Sequence, residues 1–558
     1  MAEPDADVVV VGSGPGGAAV AWALARRGVE VAVVEAGPAY DYTADYRLDR
    51  ADWERTLFPE MPGQEAGYGI AELQPLEAHR QGLRSWSRAQ GRLNPGARRL
   101  AAAYHHVRGV GGSTLHFLGE AHRLHPDAMS LRARFGVGAD WPFGYDELEP
   151  FYDEAEQAVG VAGPDQAGVR RRSRPFPLPA HALSHASQRV AAGCRSLGLT
   201  LEANTLAILS RPYRDRPPCN YCANCIRGCP RADKGSADVT FAAAALATGR
   251  CRLHIDHQAV FVEPGKDDRV AAVHCVDGSG AWRSFHARAY VIACGAVNTP
   301  RLLLASRNGH APDGLANESG EVGRNFMETL FWTASGLHPE PLGSHRGVPA
   351  DAICWDFNAP DAIPGVVGGC RFSTGAGQAD LTGPIAYATR LVPGWGRAHR
   401  QEMRAAFGRA LTVSAIGESL PNDGSYIDLD PARADRRGLP YARIHSHLPE
   451  MELRRLTFMA ETARAILQAS GVARIDEEFG AYDFFSATHV FGTCRMGDDP
   501  ARAVVDAEGR SHRWRNLFIC DASLFPSSGG GEAPSLTIAA LGLKTGAAAA
   551  RNPSGAAP

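Results

Sequence analysis

At 558 residues, 44% hydrophobic and 21% charged, the chain has the composition of a globular protein too long for one ordinary core, so two joined domains are expected. Lys and Arg number 58 against 61 Asp and Glu, a net charge of −3, which offers no basic field for nucleic acid and no acidic tail. No apolar run reaches the roughly 18–20 residues that span a bilayer. The nearest, Val8 to Ala25, is broken by Gly12, Gly14, Gly16 and Gly17 and follows acidic residues, unlike a secretion signal, so a cytoplasmic protein without a membrane segment is expected.

The first element is the β-branched run Asp7–Val11, which predicts a buried parallel strand. It enters Gly12-Ser13-Gly14-Pro15-Gly16-Gly17, then a helix-compatible stretch, Ala18–Arg27, stopped by Gly28. Val29–Val34 predicts a second strand, ending at Glu35. A tight turn at Gly12, backbone close to a pyrophosphate at Gly14, packing at Gly17 and a ribose-binding carboxylate at Glu35 are what a dinucleotide site needs. This motif does not distinguish FAD from NAD.

Further on, the Pro- and Arg-rich stretch Val161–His181 predicts an irregular connector. Four of the 12 cysteines follow as Cys219-x2-Cys222-x2-Cys225-x3-Cys229-Pro230, the spacing of a bacterial ferredoxin run. Zinc is a less natural occupant, since structural zinc sites pair two separated halves, and unmetallated thiols are the third reading. Pro449–Ser470 predicts an amphipathic helix, and Asn552–Pro558 is a small polar tail. There is no internal repeat.

Several segments together resemble the glucose–methanol–choline (GMC) family of flavin oxidoreductases. Arg108-Gly109-Val110-Gly111-Gly112-Ser113-Thr114 is similar to its first signature, a Gly-rich loop along the flavin. Gly295-Ala296-Val297-Asn298-Thr299-Pro300-Arg301-Leu302-Leu303 is similar to its second, although Ser306-Arg307 stands where serine–glycine is usual. Val322–Met327 follows as in the family, His489-Val490-Phe491-Gly492-Thr493-Cys494 resembles the catalytic-histidine segment, and Asn516–Ser523 the strand that closes the flavin site. The resemblance runs from residue 7 to about 548. It implies FAD, held by Gly12, Gly14, Gly17, Glu35, Arg108, Gly111, Gly112, Ser113, His116, Gly295, Asp521 and Ala522. It implies an α/β fold, with a Rossmann-like FAD domain from 1–45, 96–125, 230–330 and 485–550. A discontinuous α+β substrate domain on an antiparallel sheet would take 46–95, 126–229 and 331–484, with a tail at 551–558.

Alcohol oxidation removes a hydroxyl proton to a base and a hydride to flavin N5. Neutral imidazole suits the first task, and His489 occupies the family's position for it. The family's second His or Asn has no counterpart here. Counting from Ser523 puts Glu532 in that slot and counting back from Pro534 puts Ala533 there, so Glu532 is read either as a carboxylate beside His489 or as a helix-capping residue. His116 stands where some members carry the histidine bonded covalently to flavin; packing against the ring is the alternative. Cys219, Cys225 and Cys229 match the thiolates of the iron–sulfur bacterial FAD sugar and alcohol dehydrogenases, and Cys222 would extend a 3Fe-4S site to 4Fe-4S. The leading expectation is a dehydrogenase for a small alcohol, sugar or polyol. Its electrons would pass through an iron–sulfur cluster to an electron-accepting protein or small subunit. An oxygen-using oxidase with structural cysteines is the alternative. An electron-transfer flavoprotein subunit is a third, against which His489 and the large second domain argue.

Overall fold

The computed structural model describes residues 4–49, 65–165, 168–375, 381 and 383–551. The tail expected at 552–558 and residues 50–64 of the expected substrate domain lie outside them.

The strand Ala6–Val11 sits at the centre of a five-stranded parallel sheet. Val31–Val34 and then Cys251–His254 lie on one side, and Ala287–Ile292 and then Leu517–Ile519 on the other. Val8, Val9 and Val10 are fully buried, the pattern of a strand covered on both faces. The helix Pro15–Ala25 starts with Gly14 as N-cap and Pro15 at the first position, where its missing N–H costs nothing. Its Ala19 and Ala23 meet Gly542 and Gly546 of the last helix, Ser535–Arg551; a β-carbon on either glycine would approach those methyls to 2.7 Å. Small residues on both helices let their backbones close together over the sheet. Between Cys251–His254 and Ala287–Ile292 the chain makes an antiparallel meander of Gln258–Pro264, Val270–Val276 and Trp282–Phe285.

A second sheet of eight strands is antiparallel throughout. Its centre is Leu330–Leu337 beside Ala410–Gly417, flanked by Glu477–Gly480 and Cys370–Thr374. The helix expected over Pro449–Ser470 is Glu450–Ala469, with those two residues as its caps. Its Leu453, Leu456, Met459, Ala463 and Ile466 pack on Trp332, Phe372, Val413 and Ala415. Burying each such large side chain stabilises by about 1.5–3 kcal/mol. Successive strand residues face opposite ways, so the alternate set, Phe331, Thr333, Arg371, Ser414, Ile416 and Phe479, faces a cavity between this sheet and the nucleotide end. The connector expected over Val161–His181 contains two two-residue strands, Ala162–Gly163 and Leu178–Pro179, paired in parallel. No helix of the described residues is long and apolar enough to cross a membrane.

Candidate active site

The glycines of the first turn divide by what a side chain would meet. A β-carbon on Gly12 would lie 2.4 Å from Ala293 O, one on Gly16 2.1 Å from Cys520 O, and one on Gly17 2.0 Å from Gly12 O. These three allow the backbone to pack. Gly14 is different: a β-carbon there meets no protein atom within 4 Å and projects into open space. That space belongs to a cavity of about 560 Å³ running from this turn to His489.

Gly12, Gly14 and Glu35 line its nucleotide end. The buried Glu35 carboxylate accepts from Ser13 N (2.9 Å), Ser13 Oγ (2.7 Å), Gly37 N (3.0 Å) and Gly109 N (3.2 Å), tying the first turn to the second Gly-rich loop. In that loop Gly111 N donates to Ser13 O, and Gly112 sits against the Gly14 Cα. Arg108, Gly112, Ser113 and His116 line the cavity, whereas Gly17 and Gly111 are packing positions behind its wall. Gly295, Asp521 and Ala522 line it from the other side. Asp521 accepts from Gly295 N (2.9 Å), Thr299 Oγ1 (2.5 Å) and Ser523 N (2.8 Å), which fixes the start of the helix Gly295–Ala305.

Arg301 also lines the cavity, and Arg108 has its pKa depressed by burial and by the neighbouring Arg301 charge. Arg301 is paired with Asp435 at 2.8 Å, which leaves Arg108 as the cation of this end. A helix N-terminus and a turn left open at Gly14 suit an anionic, elongated ligand, so these residues fit FAD with its pyrophosphate over the turn.

His489 lines the inner end. Its segment is laced on three sides. Thr329 N donates to His489 O, Gly492 N to Ala522 O, Cys494 N to Ser523 O, and Thr493 Oγ1 to Ala296 O. Gly492 has φ +88°, and a β-carbon there would fall 2.2 Å from Asn325 O, so the glycine of His-x-x-Gly-Thr is required by close approach. Burial holds the His489 pKa down at about 4; Glu120 opposes this and Arg371 adds to it. The imidazole is therefore neutral near pH 7 and has a nitrogen lone pair for a proton.

The expectation of the Glu532 carboxylate beside His489 is corrected here. Glu532 is fully buried but does not line the cavity; Ala533, Pro534 and Ser535 do. Its Oε1 accepts from Arg170 Nη2 (2.7 Å), Asn358 Nδ2 (3.0 Å) and His125 N (3.0 Å), which hold the carboxylate out of the cavity lining. The carboxylate that acts on His489 at this end of the cavity is Glu120, paired with Arg371 Nη2 at 2.5 Å. Sequence reading missed both. The available signals were an acid within the otherwise apolar stretch Phe117–Ala121 and a charge inside the strand Cys370–Thr374, whose side chain is fully buried.

The cysteine run is also corrected. Cys225 is buried, Cys219 and Cys229 half-buried and Cys222 exposed. Among the described residues no group of three or more His, Cys, Asp or Glu side chains is placed to hold a metal ion, so the four thiols do not fit a cluster. Burial raises the pKa of all four, so they stand as protonated thiols at neutral pH. Cys229 Sγ instead donates to Asp233 Oδ1 at 3.3 Å. The loop is organised by Lys234, whose buried ammonium donates to Cys225 O (2.7 Å), Leu115 O (2.8 Å) and Phe117 O (3.0 Å), bracing it on the His116 segment.

Two profiles described as GMC oxidoreductase match the chain, over residues 78–330 and 421–542, and an NAD(P)-binding Rossmann-like profile matches residues 10–40. The chain is 28% identical to 2-methyl-1,2-propanediol dehydrogenase of Mycolicibacterium austroafricanum, over 97% of this chain and 94% of that one. It is 30% identical to 6'''-hydroxyparomomycin C oxidase of Streptomyces lividus, over 98% and 91%. The crystal structure of pyridoxine 4-oxidase from Mesorbium loti superposes with a TM-score of 0.62 at 19% identity, covering 98% of this chain and 99% of that one.

Proposed function

This chain belongs to the glucose–methanol–choline oxidoreductase family, as an FAD-dependent enzyme of CH–OH donors, and from that premise we propose that it oxidises a small alcohol, sugar or polyol with His489 as the base. The observation that carries this reading is one cavity joining the nucleotide turn at Gly14 to the neutral imidazole of His489. FAD bound there supplies the acceptor for the hydride leaving the carbinol carbon. A ring nitrogen of His489 takes the hydroxyl proton, and burial keeps that nitrogen free of a proton of its own at neutral pH. The backbone bonds around residues 489–494 hold the ring in place through the reaction. Gly12, Gly14, Gly112 and Ser113 carry the nucleotide, with Arg108 supplying positive charge.

The electron acceptor is external. The cysteine run provides no ligand set, so no electron step is routed through an iron–sulfur cluster. That arrangement favours a second reading, an oxidase with structural cysteines, in agreement with the relative named as an oxidase.

Anaerobic mixing of the yellow protein with a panel of alcohols tests the reading: at least one should bleach the flavin without added NAD. If none does, the proposal fails. Acid precipitation should leave the flavin in the supernatant, which makes His116 a packing residue; flavin in the pellet would make it the covalent link.

A further inference from the structure

Three strands carry the cavity wall opposite the nucleotide. Their register places Thr333 beside Ser414 and Ser414 beside Ser373, and in the next row Phe331 beside Ile416 and Ile416 beside Arg371. The polar row is linked: Thr333 Oγ1 lies 3.2 Å from Ser414 Oγ, and Arg371 Nη1 donates to Ser373 Oγ at 2.8 Å. Arg371 Nη2 donates to Glu120 Oε2, and Asn204 Nδ2 donates to the other Glu120 oxygen at 3.0 Å. Arg371 is fully buried and Glu120 is 6% exposed.

Burying an ion pair costs several kcal/mol of desolvation per ion, and hydroxyls on a cavity wall cost more unless a partner meets them. Glu120 and Arg371 tune the pKa of His489, but removing one proton there requires neither hydroxyl and no paired guanidinium. Part of Arg371 is structural, since its Nε donates to Gly531 O at 2.9 Å, but the residue still lines the cavity together with Glu120. A guanidinium that donates, a carboxylate that accepts and two hydroxyls that do both match neighbouring alcohol groups, each of which is donor and acceptor at once.

Resting on the reading that an alcohol is oxidised at His489, we propose that Arg371, Glu120, Ser414 and Thr333 form a recognition strip for the substrate's other hydroxyls, so that the enzyme selects a polyhydroxylated alcohol over a monohydric one. Phe331 and Phe479 flank the strip and offer flat apolar surface to the carbon skeleton.

The test is the ratio of kcat/KM for flavin reduction by glycerol or 1,2-propanediol to that by 1-propanol. A site built to hydrogen-bond a hydroxyl should favour the polyol by about 100-fold or more in the wild type. Ser414→Ala should cut the ratio about tenfold and Arg371→Lys further, mainly through KM. Because a buried ion pair is altered in Arg371→Lys, Ser414→Ala and Thr333→Val keep the test valid if that variant fails to fold. Equal use of 1-propanol and glycerol by the wild type, or a ratio unmoved in Ser414→Ala and Thr333→Val, would overturn this inference while leaving His489 as the base. Absence of flavin reduction by any alcohol would overturn the functional reading, and this inference with it.

Discussion

The two ends of the cavity are built in different ways. The nucleotide end is a backbone structure. It rests on glycines at 12, 16 and 17 whose β-carbons would strike carbonyls within 2.4 Å, and its first turn is one run of residues close in sequence. The substrate end is a side-chain structure, with Glu120, Thr333, Arg371, Ser414 and His489 brought from five separate segments. A backbone site tolerates little change in residue size and a side-chain site little change in chemistry, and substitutions should separate the two.

The largest contrast is expected within the first turn. Gly17→Val forces a collision with Gly12 O and should destabilise the protein by more than about 4 kcal/mol, enough to prevent recovery of folded protein. The β-carbon of Gly14→Val meets no protein atom within 4 Å, so this variant should fold with a near wild-type melting temperature yet purify colourless. A yellow Gly14→Val protein would remove the nucleotide from this turn.

At the other end, His489→Ala should retain FAD and slow flavin reduction by roughly 10²–10⁴-fold, the usual worth of a positioned base. The pH profile carries the sign of the shift. His489 is depressed to about 4, so its base form persists at neutral pH and is lost only as pH falls toward that value. Reduction rates should be flat from pH 6 to pH 8 on the order of that shift, then fall on acidification; a limb near the ordinary histidine value of about 6.5 would contradict the buried geometry.

The two glutamates sharpen the comparison further. Glu532→Gln breaks the buried pair with Arg170 and should cost about 3 kcal/mol of stability without moving the acid limb. Glu120→Gln removes the charge that raises the His489 pKa, so its limb should move to lower pH. Identical profiles in the two variants would erase the distinction drawn between them. The smallest effect is expected at the exposed Cys222: Cys222→Ser should leave flavin content and reduction unchanged. Stoichiometric iron and acid-labile sulfide in the wild type, lost together in this variant, would reinstate the cluster.

Local pattern made the nucleotide end legible. The strand run Val8–Val11, the spacing of Gly12, Gly14 and Gly17, and Glu35 at the end of the next strand are all set within about 30 residues by steric rules that act along the chain. The segment His489–Cys494 was legible only through its resemblance to the family's histidine segment, since the contact that Gly492 answers is with the distant Asn325 O. Which carboxylate faces His489 was not legible. Glu532 and Glu120 are both glutamates beside functional segments, and only the hydrogen bonds from Arg170 and Asn358 turn one away while Arg371 draws the other in. The four cysteines were misjudged likewise: spacing records how close thiols can come, whereas Lys234, pinned to the carbonyls of Leu115 and Phe117, decides how the loop lies. Backbone constraints are written locally and survive in the sequence; the pairing of buried charges depends on long-range packing, and only the tertiary structure decides it.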